Sequence, residues 1–156
     1  MTSPELAAER LLVRVIDTAP DLDEALRAAV YGLAATGDRY HWVGIYLLEG
    51  DTLVLHSQDG EPTPHTRIPI SRGLCGAAAR ERQTIVVDDV RQDSRYLACS
   101  PETRSEIVVP IMDREGRVLG EIDIDSDQPA AFGPDDCRLV ETIAAALAAR
   151  FAAARE

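Results

Sequence analysis

Apolar residues recur at helical spacing in two segments near the start of the chain and in one segment at its end. Ser3 and Pro4 are typical of a helix start, and the apolar period that follows predicts a helix to about Thr18. Asp21 and Glu24 form a capping-box pattern for a second helix, which we expect to end at a left-handed Gly37. A last helix is predicted over 135–155.

Between these helices the pattern changes to short runs rich in β-branched and aromatic residues. Two pairs of runs flank short turns and predict antiparallel hairpins, and two further runs predict single strands on either side of a short helix at about Leu74. The predicted strands cover 42–48, 52–57, 67–70, 84–87, 106–112 and 116–126. Residues 88–104 are polar and aperiodic, which predicts a long surface loop. Consecutive hairpins with flanking helices indicate an α+β fold with an antiparallel sheet of about six strands.

Composition narrows the classes of function. A chain of 156 residues with 46% hydrophobic residues fits one domain, 1–156. Its net charge of −11 makes nucleic acid and membrane surfaces poor partners. All 16 basic residues are arginine, which excludes lysine Schiff-base and phosphate-loop lysine chemistry. With no apolar span and no signal-peptide pattern at the start, we expect a cytoplasmic protein.

The three cysteines are the first candidates for chemistry. Cys75, Cys99 and Cys137 are widely spaced and odd in number, which suits neither a disulfide framework nor a paired zinc site. Each is therefore either an inert core thiol or a redox group. Cys99 lies in the aperiodic loop, which weakens the core interpretation. Cys75 stands between Gly73 and Gly76, which allow a close backbone approach, and near a helix start that favours a thiolate.

A second candidate is an alternating run of acids. Glu121, Asp123 and Asp125 fall on one face of a predicted strand, and pairing with the neighbouring strand could bring Glu106 beside them. Such a face is most often solvated and fully ionised. It could instead be a partly desolvated wall that binds a cation or holds a proton. The histidines have no zinc-type spacing, so no metal is expected.

Four motifs, in this order, carry a family resemblance: HWVGIYLL, RIPISRGLCGAA, YLACSPETRSEIVVPI and GEIDIDS. From about residue 22 to 148 the chain resembles the GAF-domain free methionine-(R)-sulfoxide reductases. The resemblance implies a GAF-like sheet of about six strands with flanking helices that enclose a ligand pocket. The matching core is 21–150, preceded by an N-terminal helix within 1–20.

The same resemblance implies roles for two of the thiols. Cys99 would attack the sulfur of free methionine-(R)-sulfoxide, and Cys75 would resolve the resulting sulfenic acid as a disulfide. Thioredoxin would be the external reductant, and no bound cofactor is implied. Where many members carry a further cysteine this chain has His65, which leaves Cys75 as the matching resolving thiol. Cys137 matches no motif and is interpreted as structural.

The resemblance also implies a substrate-binding set. Glu106, Asp123 and Asp125 would hold the substrate amino group and orient the sulfoxide, and Trp42 would form a wall against its methyl side. The alternative is a non-catalytic GAF domain that senses a small ligand, because a fold alone does not fix a function. The sequence leaves a homodimer open.

Overall fold

The computed structural model describes residues 3–98 and 100–154 and contains the predicted elements in the predicted order. Four helices and six strands are separated by short turns, apart from the long connection before β5, which holds a single 3-10 turn at Val90–Gln92. The elements are α1 (Pro4–Thr18), α2 (Leu22–Thr36), β1 (Trp42–Glu49), β2 (Thr52–Asp59), β3 (Arg67–Pro69), α3 (Gly73–Glu81), β4 (Ile85–Val87), β5 (Ser105–Met112), β6 (Val118–Ser126) and α4 (Pro134–Ala154).

The six strands form one antiparallel sheet in the order β3-β2-β1-β6-β5-β4. The two predicted hairpins, β1–β2 and β5–β6, are therefore adjacent, with β6 paired to β1 at the centre of the sheet. Because successive side chains on a strand alternate between faces, the sheet presents two differently composed surfaces. This confirms the α+β class and the strand count.

One face of the sheet carries the larger hydrophobic core, under α1, α2 and α4. Isoleucines from the central strands, including Ile45, Ile107, Ile122 and Ile124, point into this core and are fully buried. Helix α2 begins as predicted, because Asp21 accepts a hydrogen bond from the Glu24 amide at 2.9 Å. The prediction for Gly37 was wrong: its φ of −140° is extended, so the helix ends without a left-handed residue. No helix in the described part of the chain is both long and apolar enough to cross a membrane.

The opposite face of the sheet is covered by α3 and by the long connections beside it. A smaller core lies there, in which Leu74, Ala77 and Ala78 of α3 contact the sheet, and Tyr96 and Leu97 pack against its edge. Val90, Tyr96 and Leu97 of the aperiodic stretch before β5 thus lie on the same side of the sheet as α3. This second face also carries the acidic side chains of β5 and β6, so the fold places the candidate site between the sheet and α3.

Candidate active site

The acids of β5 and β6 form rows across the centre of the sheet. In the antiparallel register Glu106 stands opposite Asp125, and Asp125 stands opposite Trp42 of β1. The next row along the strands contains Asp123, opposite Gly44. Residues directly opposite each other share a face of the sheet, so these side chains point to the same side. The predicted approach of Glu106 to Asp123 and Asp125 is confirmed.

These carboxyl groups are buried, which decides between the two interpretations of the acidic strand face. The exposed fraction is 5% for Glu106, 1% for Asp123 and 3% for Asp125, and that of Glu121 is zero. The solvated-face interpretation is therefore wrong, because α3 and the neighbouring loops cover this part of the sheet. Buried charges require a partner or a proton, so the arrangement favours a cation-binding or proton-holding site.

Cys75 lies in the first turn of α3, directly above the acids. Its Sγ is 3.5 Å from Oδ2 of Asp123, and its side chain is 5% exposed. The glycines beside it permit this position, as predicted. A Cβ on Gly76 would be 2.6 Å from the carbonyl oxygen of Ile70, and Gly73 has a φ of +72° with Leu97 close by. Close packing at both glycines, against the Ile70 carbonyl and the Leu97 side chain, therefore places the thiol against the carboxyls.

The pKa values of three acids in the site are raised. Burial is the largest cause at Glu121, Asp123 and Asp125, and the charge of Asp123 raises the pKa of the other two further. Hydrogen bonding with Glu106 partly opposes the rise at Asp123 and Asp125. A hydrogen bond between two carboxyl groups requires a proton on one of them. The site is thus built to hold protons while it contains no cation.

Burial likewise raises the pKa of the Cys75 thiol well above its usual value, and the charges of Asp123, Glu121, Glu106 and Asp125 add to the rise. The prediction that a helix start would favour a Cys75 thiolate was wrong. A helix terminus stabilises a thiolate by only about 0.3–1 kcal/mol. Burial removes the thiolate from water and places it beside several acids in a low dielectric, where their repulsion is stronger than that stabilisation. Cys75 is therefore a neutral thiol in the resting site.

Trp42 forms one wall of the site, and Gly44 makes room for it. The six-membered part of the indole lies over Gly44, where an added Cβ would be 2.2 Å from the ring. The indole nitrogen donates a hydrogen bond of 2.9 Å to the carbonyl oxygen of Glu61, which fixes the ring's orientation. The ring therefore extends from the row of Asp125 towards that of Asp123.

Two hydrogen bonds link β1 to the segment that precedes Cys99. The Tyr46 hydroxyl donates to the carbonyl oxygen of His65 at 2.7 Å, and Nε2 of His65 lies 2.8 Å from the carbonyl oxygen of Ala98. Cys99 itself lies outside the described residues. His65, at the position of the additional family cysteine, thus contacts the chain at the residue before Cys99. Sequence reasoning left Tyr46 unassigned, and no motif signalled this link.

A cavity of about 550 Å³ opens beside the acidic rows. Trp42 and Asp125 form its inner end, and most of its other lining residues are acidic, polar or proline. They are His41, Glu61, Pro62, Thr63, Ser100, Pro101, Glu102, Thr103 and Asp127. Cys75 and Asp123 do not line this cavity but lie between α3 and the sheet. The arrangement thus places an acidic cavity, which ends at Trp42 and Asp125, beside a separate buried cluster that contains the Cys75 thiol.

Glu121 is a further member of the cluster that sequence reasoning noted on the strand face but left out of the site. It is fully buried, and within the described residues its carboxylate oxygens have no hydrogen-bond partner other than the Cys75 thiol. Its neighbours include Asp123 and Cys75. The signal available in the sequence was its alternation with Asp123 and Asp125, which places all three on one face. The cluster thus contains four carboxyls and one thiol.

Groups of this kind can bind a metal ion as well as a proton. Three residues, Cys75, Glu106 and Asp123, each offer one ligand atom, and these three atoms lie within 4.8 Å of one another. The expectation that no metal binds considered only the spacing of residues along the chain, which does not show this convergence in space. Cys137 takes no part in the site, since it lies on α4, beside the core on the other face of the sheet.

Comparison with known proteins gives relatives of two kinds. The chain is 38% identical over 96 residues to the free methionine-R-sulfoxide reductase of Escherichia coli, covering 62% of this chain and 57% of that protein. The structure of the free methionine-R-sulfoxide reductase from Neisseria meningitidis in complex with its substrate is similar at 34% identity, covering 99% and 94% of the two chains, with a TM-score of 0.89. A GAF sensor protein from Burkholderia vietnamiensis is similar at 30% identity, covering 97% and 96%, with a TM-score of 0.90.

The similarity to free methionine-R-sulfoxide reductases expected from the four motifs is thus confirmed, although the chain spans only 57–69% of the length of the curated relatives it matches. The model of one family, described as the GAF domain, matches residues 21–151. That range contains the whole six-stranded sheet, α3 and all four buried acids. On this match and on the fold that agrees with it, the chain belongs to the GAF domain family.

Proposed function

We propose that this chain reduces the free amino acid methionine-(R)-sulfoxide to methionine. The observation that carries the proposal is the buried Cys75 thiol, 3.5 Å from Asp123 in a cluster of four carboxyls. A pure ligand sensor has no need of a thiol in this position. The similarity to the reductases of Escherichia coli and Neisseria meningitidis supports the same chemistry.

The carboxyls suit the amino group of a free amino acid. An ammonium ion bound by Glu106, Asp123 and Asp125 would replace the protons that these groups hold when the site lacks a cation. A methionine sulfoxide within a peptide has no ammonium at that position and would leave buried carboxyls unpaired, which strongly disfavours its binding. Trp42 would contact the methyl side of the sulfoxide.

The reaction requires a nucleophilic sulfur and a proton donor. Cys99, assigned by its motif, attacks the sulfoxide sulfur, and a protonated carboxyl of the cluster donates to the sulfoxide oxygen. The oxygen passes to Cys99, which becomes a sulfenic acid, and methionine leaves. The bound ammonium also offsets the acidic charges that oppose ionisation of Cys99, so the substrate activates its own nucleophile.

Cys75 then resolves the sulfenic acid. Its sulfur displaces the oxygen from Cys99, so that a disulfide forms and water leaves. A raised pKa keeps Cys75 as a thiol until that step, which prevents it from competing as the first nucleophile. Thioredoxin reduces the disulfide and restores both thiols, and no bound cofactor is needed. We place the protein in the cytoplasm, where such a reductant is available. Size-exclusion chromatography tests whether two chains form a homodimer.

The test is thioredoxin-coupled oxidation of NADPH with separate epimers of free methionine sulfoxide and with the N-acetylated R epimer. We expect turnover with the free R epimer alone, and none with that substrate in a Cys99→Ser variant. Turnover of the N-acetylated compound at a similar rate would contradict the role of the carboxyls.

The second candidate is a GAF sensor without chemistry, which the similarity to the Burkholderia vietnamiensis protein favours. Calorimetric binding of methionine or its sulfoxide, with no NADPH consumption and no methionine released from the reduced protein, would support the sensor and reject the reductase.

A further inference from the structure

We propose that Cys75, Glu106, Asp123 and Glu121 also form a binding site for a thiophilic divalent cation of the zinc class. The ligand atoms of the first three converge within 4.8 Å, and all three side chains are buried. They come from α3, β5 and β6, so the site exists only in the folded chain.

The distance between the thiol and Asp123 fits such an ion. Zinc–sulfur bonds of about 2.3 Å and zinc–oxygen bonds of about 2.1 Å at a tetrahedral angle place sulfur and oxygen about 3.6 Å apart. Cys75 Sγ and Asp123 Oδ2 are 3.5 Å apart. This pair could therefore bind one zinc ion with almost no movement, and Glu106 needs to approach by about 1 Å or less.

Glu121 provides independent support. It is fully buried, and among the described residues its oxygens have no hydrogen-bond partner other than the Cys75 thiol, so the carboxyl points at the proposed ligand atom. Buried polar atoms are rarely left unsatisfied, and a Glu121 oxygen supplies the fourth ligand of a four-coordinate ion, after those of Cys75, Asp123 and Glu106.

The donor set indicates the class of cation. Magnesium and calcium prefer oxygen ligands alone, whereas a thiolate with carboxylates suits zinc or its spectroscopic substitute cobalt. The charged groups that act on Cys75 are four acids, so a dication neutralises more of the cluster than a single ammonium does. Binding releases the thiol proton of Cys75 to solvent.

One consequence for turnover rests on the proposed function. The ion and the substrate ammonium would use the same carboxyls, so they exclude each other, and Cys75 bound to metal cannot resolve a sulfenic acid. The binding itself does not depend on the reductase activity. Direct metal titration and the coupled assay therefore succeed or fail separately.

The test is anaerobic titration of the reduced chain with Co²⁺, followed by the thiolate-to-cobalt charge-transfer absorption. We expect one Co²⁺ per chain, displacement by Zn²⁺ and none by Mg²⁺. Cys75→Ser should abolish the band, and Glu121→Gln should weaken binding by about tenfold or more. Cys137→Ser is the matched control and should bind as the parent does.

The proposal is overturned if the parent shows no charge-transfer band, which would leave the 3.5 Å contact as a thiol hydrogen bond only. It is also overturned if Cys75→Ser keeps the band while Cys99→Ser loses it, because the ligand would then be the other thiol. Thermal unfolding tests whether each variant is folded. Where a variant is not folded, Asp123→Asn is measured in its place. Loss of the band in folded Asp123→Asn supports the site, and its retention contradicts it.

Discussion

Removing the charge of Glu121 should stabilise the fold, and increasingly so as the pH rises. Burial raises the pKa of this carboxyl above its ordinary value of 4.5, so the folded chain holds a proton there that the unfolded chain releases. Its contribution to stability is complete below about pH 4.5 and is lost as the pH rises through the folded-state pKa. Glu121→Gln cannot ionise and removes this loss.

The magnitude follows from the surroundings of Glu121. Each unit of pKa difference between the folded and unfolded states is worth about 1.4 kcal/mol. Leaving a buried group without a partner costs about 1–3 kcal/mol, and more for an ionised carboxylate than for the neutral amide of the glutamine that replaces it. We therefore expect Glu121→Gln to raise the unfolding free energy by about 1–3 kcal/mol at pH 7.5 and to change it little at pH 4.5. For a domain of this size that gain raises the melting temperature by about 2–12 °C at the higher pH.

The assay is urea unfolding followed by circular dichroism at several pH values between 4.5 and 8, with the protein reduced and free of metal. Glu49→Gln, at the exposed end of β1, is the matched control, because it removes the same charge from the surface. Parallel stability curves for the parent and Glu121→Gln would refute the reasoning. So would a variant less stable than the parent at every pH, since that would show a partner for the carboxylate.

Three further results are expected. Cys75→Ser should release one methionine per chain and then stop, because its sulfenic acid is not resolved. Cys137→Ser should turn over normally, and rapid-quench analysis of the methionine released measures both variants. Asp123→Asn should lower kcat/KM by about 10- to 150-fold, since a charge-assisted hydrogen bond is worth about 1.5–3 kcal/mol, and an unchanged value in the coupled assay would contradict its contact with substrate. His65→Ala should speed tryptic cleavage after Arg95 by about fivefold, because the variant loses the hydrogen bond to the Ala98 carbonyl. Mass spectrometry measures the cleavage rate, with His56→Ala as the control, and equal rates in the two variants would refute the link.

The sheet could be predicted from the sequence because its determinants are local. Alternation along 116–126 and 106–112, with a turn between them, fixed a hairpin whose register places Glu106 opposite Asp125. Helix starts at Ser3 and Asp21 followed from side-chain caps, which the structure contains. Gly37 ends α2 in an extended conformation, because a glycine permits several backbone shapes and the following chain selects one.

The burial of the acids could not be predicted, because it depends on an element far away in the sequence. The alternation of Glu121, Asp123 and Asp125 is the same whether the strand face meets water or another layer. Helix α3 covers that face, and nothing within the strand itself signals the cover. Sequence motifs identified Asp123 and Asp125 by resemblance, but they gave no reason to include Glu121.

The packing of α3 on the sheet also explains why the predicted Cys75 thiolate was wrong. A helix start considered alone favours a thiolate, but the strands beneath α3 bring four carboxyls to the sulfur. Long-range electrostatic effects of this kind can be predicted only when the strand order is known, because Glu106 and Asp123 are 17 positions apart in the chain. Predictions of pKa from local sequence are therefore weakest where a site joins several elements.

The buried acids connect the stability of the fold to its ligand. Burial raises the pKa of Glu121, Asp123 and Asp125, so these carboxyls cost stability as the pH rises. A fold keeps such a cost where its function requires it. A ligand that binds only the folded chain stabilises it by a free energy that grows with the logarithm of the ligand concentration divided by Kd. A ligand that carries an ammonium group stabilises the fold most at pH values where the carboxyls are most ionised. The same groups that make the site unstable without a cation thus make it selective for one. For the proposed reductase, selectivity for a free amino group then follows from electrostatics, even before the shape of the pocket beside Trp42 contributes.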